Sequence, residues 1–144
     1  MLPAEGSCQA AMATRQEKFR QAALSYLVYG CLYLAGAIYI ATRGVAGRAM
    51  AARSAFVWFA IGALLVIVVP WLINKGYLWF TRLLVLLVIF RAIGVARVMI
   101  RPTIAAVPLP GGIEFPMSAG AFFFLLLTLG TGYMLARAAW DLGP

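Results

Sequence analysis

The chain contains no histidine and only four acidic residues, Glu5, Glu17, Glu114 and Asp141. Without histidine, a bis-histidine haem, a His-ligated zinc site and a Ser-His-Asp triad are excluded. Charged residues are 11% of the chain, well below the roughly 25% usual in soluble domains. The two cysteines, Cys8 and Cys31, are too far apart for a C-x-x-C pair. One lies in the N-terminal segment and the other inside an apolar run, so no disulfide is expected between them. A phosphate-binding G-x-x-x-x-G-K-[ST] loop is missing as well. These absences lead to the expectation of a protein that is not an enzyme and carries neither cofactor nor metal.

What the chain does have is apolar length. Its 144 residues, expected to form one domain, are 65% hydrophobic, with a mean hydropathy of +0.95. Three windows carry no charge: 22 residues over 21–42, 21 over 54–74, and 22 over 115–136. At about 1.5 Å of rise per residue, each window as a helix covers roughly 30 Å, the depth of a bilayer's hydrocarbon core. A fourth apolar run, Tyr77 to Ile100, is long enough but contains Arg82, Arg91 and Arg97. Long apolar runs, rather than short alternating segments, point to helices and not to a membrane barrel. The expected fold is an all-α four-helix transmembrane bundle with spans over 22–42, 54–74, 77–100 and 117–138. Residues 1–21 are expected to form a tail with a short interfacial helix over 9–20 that runs into the first span, and residues 139–144 a C-terminal tail. Trp71, Tyr77, Trp79 and Phe80 flank the Asn74-Lys75-Gly76 turn, and Trp140 follows the fourth span, at the depths where amphipathic rings settle.

Orientation is nearly balanced. Arg15, Lys18, Arg20, Lys75, Arg82 and Arg137 fall on the side of the termini, and Arg43, Arg48, Arg53, Arg97 and Arg101 on the other. The proline-rich loop 102–116 resembles an exoplasmic loop and favours cytoplasmic termini. The abundance of alanine, glycine and arginine favours a bacterial inner membrane. The net charge of +8 does not indicate nucleic acid, because most of the basic residues rim the predicted spans, where they meet anionic lipid headgroups.

Arg91 differs from the other arginines. It lies within about 5 Å of the centre of its span, where an arginine costs roughly 2.5–3.5 kcal/mol on insertion scales. It stays charged, and none of the charge-free windows contains a carboxylate to pair with it. Compensation is therefore expected from hydroxyls, carbonyls or water, from a lipid phosphate or bound anion, or from a carboxylate on another subunit. Arg82, Arg91, Arg97 and Arg101 are spaced nine, six and four apart, which is not the every-third-residue ladder of a voltage sensor.

Candidate surroundings follow from helical spacing. Tyr26, Tyr29 and Tyr33 form one stripe on the first span, and their rings can take a cation–π contact. Gly94 lies on the Arg91 face and would admit a neighbouring helix. Thr128, Gly132 and Ala136 form a small-residue row on the fourth span that suits close packing. Glu114 is expected to complement the N-terminus of the fourth helix, or to pair with Arg101 or a partner chain, and Pro116 suits the first helical position. The combined expectation is a small accessory, assembly or stabilising subunit that works by binding a protein partner or a second copy in the membrane. The alternative is an oligomeric pathway for an anion or anionic lipid, with Arg91 as the attracting charge and Tyr29, Tyr33 and Thr128 lining it.

Overall fold

A computed structural model describes residues 5–42, 52–101, 106–108 and 112–141, with side chains over 14–42, 56–101, 106–107 and 112–141. The side chains of Cys8, Arg43, Arg48 and Arg53, and residues 102–105 and 109–111 of the long loop, lie outside that description. Four helices carry the fold: α1 (Glu5–Thr42), α2 (Ala52–Asn74), α3 (Leu78–Ile100) and α4 (Met117–Trp140). Each contains a segment long and apolar enough to cross a membrane. The chain is an all-α, multi-pass membrane protein.

Helices are the outcome because hydrocarbon supplies no hydrogen-bond partner, so each segment must pair its own backbone groups. The helix expected over 9–20 joins the first span without a break, and α1 is continuous from Glu5. Residues 7–29 contain neither glycine nor proline, and extending an existing helix avoids the cost of nucleating a new one. At the same end of the bundle as the termini, Gly76 closes the α2–α3 turn with φ +78°, and its N–H donates to the Ile73 carbonyl at 2.9 Å. That left-handed conformation suits glycine. Pro70 is buried inside α2, four residues before the helix ends.

The loop expected over 102–116 contains structure of its own. Strands β1 (Ala106–Pro108) and β2 (Glu114–Pro116) pair antiparallel, with Val107 opposite Phe115. Pairing satisfies backbone groups that an apolar environment would leave unmet. Pro116 is also placed differently from expectation. It is the N-cap of α4 with ψ 130°, because it still pairs with Ala106, and Met117 is the first helical residue.

In packing, α4 contacts both α1 and α3, and α1 contacts α2, whereas α2 and α3 touch only sparsely despite the tight turn between them. The buried core lies toward the end of the bundle that carries the termini. Phe19 and Ala22 on α1, Ile73 on α2, Leu84 and Val88 on α3, and Leu135 and Ala138 on α4 meet there. Lys18 and Asp141 close that end with an ion pair at 2.9 Å. The Lys18 ammonium, first by its hydrogen bond and then by its charge, holds the Asp141 carboxyl below the usual aspartate range.

Close approach depends on a few glycines. A Cβ at Gly30 would stand 2.9 Å from Val66 Cγ2, one at Gly62 would be 3.0 Å from Leu34 Cδ1, and one at Gly132 would be 3.1 Å from Val88 Cγ1. The first two set the α1–α2 contact and the third sets the α3–α4 contact. A Cβ at Gly94 would meet nothing within 4 Å, so that residue packs against no helix among the described residues. Gly30→Leu and Gly132→Leu are each expected to destabilise the protein by about 1–3 kcal/mol through overpacking. Gly94→Leu is expected to leave stability unchanged or slightly raised. Thermal unfolding in detergent would check this, and a Gly94→Leu loss as large as that of Gly132→Leu would contradict it.

Candidate functional site

The candidate site is the central arginine and the ring beneath it. Arg91 is two residues from the middle of α3 (Leu78–Ile100) and is exposed on the surface of the bundle. Its guanidinium carbon lies 4.4 Å from the centroid of the Tyr33 ring on α1. Tyr33 is held in turn by its neighbours. It stacks on Tyr29 at 6.4 Å and 21°, and it meets Phe124 of α4 edge-on at 6.4 Å and 87°. Tyr26 extends the row, 6.1 Å from Tyr29. Steps of three and four residues bring these phenols onto one stripe of α1. Tyr29 is buried and Tyr33 is 43% exposed, so the row runs from the interior out to the arginine.

The ring contact only partly compensates the charge. A cation–π pair contributes about 0.5–2 kcal/mol, against an insertion cost of roughly 2.5–3.5 kcal/mol. A ring also offers no lone pair to the five N–H donors of a guanidinium. Among the described residues, no carboxylate, hydroxyl or carbonyl accepts a hydrogen bond from Arg91. The two threonine hydroxyls of α4 donate to their own helix. Thr128 donates to the Phe124 carbonyl at 2.6 Å and Thr131 to the Leu127 carbonyl at 2.8 Å. Both threonines are buried, so Thr128 seals its own helix and does not reach the arginine.

The remaining predicted residues are dispersed. Gly132 packs against Val88, and Ala136 lies half-buried beside the terminal core. Glu114 is exposed on β2 opposite Pro108, far along the chain fold from Arg91. It forms no ion pair with Arg101 among the described residues, and α4 has no side-chain cap. Periodicity did not single out Gly30, Gly62 or the Ser25–Thr131 contact at 3.4 Å between α1 and α4. All of these lie on helices that are apolar around most of their circumference, so no polar face marks them in advance.

Basic residues at the rims find aromatic or open settings. Lys75 lies over Trp71 at 5.3 Å and Arg82 over Trp140 at 5.7 Å. At the far end of α3, Arg97 and Arg101, with Val98 and Ile100, line a surface cavity of about 410 Å³. Arg137 buries its Nε without an acceptor.

Family models, curated proteins and solved structures offer no match to this chain. Its functional reading therefore comes from its own geometry.

The Arg91–Tyr33 pair is open to direct measurement. A double-mutant cycle of Arg91→Gln and Tyr33→Leu is expected to give a coupling of about 0.5–2 kcal/mol in detergent unfolding. Tyr33→Phe should retain most of it. Additive single effects would show that the ring contact contributes nothing.

Proposed function

We propose that this protein is a non-catalytic accessory, assembly or stabilising subunit of a larger membrane complex, acting through contacts made inside the bilayer. The observation that supports this reading is Arg91: an exposed guanidinium at mid-span, attracted to one ring and left without an acceptor by the described residues of its own chain. An ionisable residue at that depth is a functional-site hypothesis by default. A chain whose helices pack through a few glycines, and whose buried Thr128 and Thr131 are turned onto their own backbones, has little machinery for chemistry.

In native membranes solubilised in mild detergent, the chain is expected to migrate in a species larger than its own monomer or dimer. Arg91→Gln should release it from that species. Migration as a monomer under crosslinking conditions would overturn the proposal. The exposure of Arg91 also motivates a second reading, an oligomeric pathway for an anion or anionic lipid. That reading requires flux in liposomes that Arg91→Gln abolishes, and flux no greater than in empty liposomes removes it.

The membrane proposed is a bacterial inner membrane, with both termini and the Lys75 turn on the cytoplasmic side. Anionic headgroups are the proposed lipid contacts of the rim, and the cavity between Arg97 and Arg101 has the charge for one. A cysteine replacing Lys75 should resist an impermeant thiol reagent in intact cells and react after lysis. Reaction in intact cells would reverse the orientation.

A further inference from the structure

Leu87, Arg91, Gly94 and Val98 are spaced four, three and four residues apart on α3. At 100° per residue they fall within one narrow stripe. That stripe lies roughly a third of a turn around the helix from the buried Thr81, Val85, Val88 and Ala92, with the buried Leu84 between them at the edge of the stripe. Leu87 and Arg91 are exposed, Gly94 has open space where a Cβ would stand, and Val98 is half-buried. α3 itself packs mainly against α4 and only sparsely against α2. The stripe is a helix surface of the width a second helix would cover, with a charge in its middle and a glycine one turn away.

We infer that this stripe of α3 docks a transmembrane helix of a different protein, and that the helix carries an aspartate or glutamate at mid-membrane depth facing Arg91. The inference rests on the subunit reading above and specifies its surface and partner. Two independent features support it. Glycine weakens a helix interior more than any residue except proline, and at Gly94 it relieves no crowding within this chain. It does allow close approach from outside, which is how helices associate in lipid. The second feature is charge complementarity. The Arg91 donors need lone pairs, and a carboxylate accepts them bidentately where a ring cannot. A second copy of this chain cannot supply that group, because Glu5, Glu17, Glu114 and Asp141 all lie outside its apolar windows. The partner is therefore a distinct chain with its own embedded acid. Tyr33 would keep its place behind the guanidinium and orient it toward the partner.

The test uses the full chain in its native membrane. A photoreactive residue is placed at Leu87, on the stripe, and separately at Ile67, an exposed position on α2. The adducts are then identified by mass spectrometry. The Leu87 probe is expected to capture one transmembrane segment with an Asp or Glu within about one helical turn of the crosslink. Arg91→Gln and Gly94→Leu should each lower that yield by about tenfold, and Arg91→Lys should preserve much of it. Gly94→Leu is informative even if Arg91→Gln misfolds, because the open space at Gly94 leaves the fold intact. Adducts only with lipid, only with a second copy, or with a segment lacking a carboxylate would overturn the inference. Protein adducts from Ile67 alone would retain the subunit reading and discard this surface. Protein adducts from neither position would discard both.

Discussion

Inside the hydrocarbon layer a backbone N–H has no water to bond and no other partner outside the protein. That constraint makes the four spans helical. It also turns Thr81, Thr128 and Thr131 back onto carbonyls of their own helices. Lipid also removes the usual drive to bury apolar surface, because Leu or Phe loses little by facing acyl chains. What holds the bundle together must then be close contact, and close contact needs missing side chains. Gly30 against Val66, Gly62 against Leu34 and Gly132 against Val88 supply it.

The same environment makes Arg91 the costliest side chain in the protein. A charge there can be met by an opposite charge, by acceptors or by a polarisable ring. This chain has no acidic residue in its charge-free windows and turns Thr81, Thr128 and Thr131 onto their own helices, leaving Tyr33 as the described contact. Tyr29 and Phe124 brace that ring from the side and the edge, which keeps it beneath the guanidinium. The packing is thus organised to hold a charge at the membrane's centre without neutralising it.

The terminal end and the Arg91 level of the bundle differ in kind. At the terminal end, Phe19, Ile73, Leu84 and Leu135 interlock and the Lys18–Asp141 pair links the first helix to the last. Toward the other end fewer of the described residues are buried, and Gly94 has no described side chain within 4 Å of where its Cβ would stand. A tight core at one end and an open flank at the other is a geometry that can hold its shape while offering a surface to another helix.

The number and length of the spans, and the presence of one central arginine without an embedded acid, are local properties of the chain. They follow from counting uncharged residues against the thickness of a bilayer, so the sequence alone determines them. Which tyrosine meets Arg91, and that Gly30 and Gly62 rather than Gly94 bring helices together, depend on how each helix is rotated and which helix lies beside it. The same holds for Thr128 being closed onto Phe124. In a soluble bundle a polar face would reveal that rotation. Here the helices are apolar nearly all round, one face looks much like another in sequence, and only the tertiary packing decides between them.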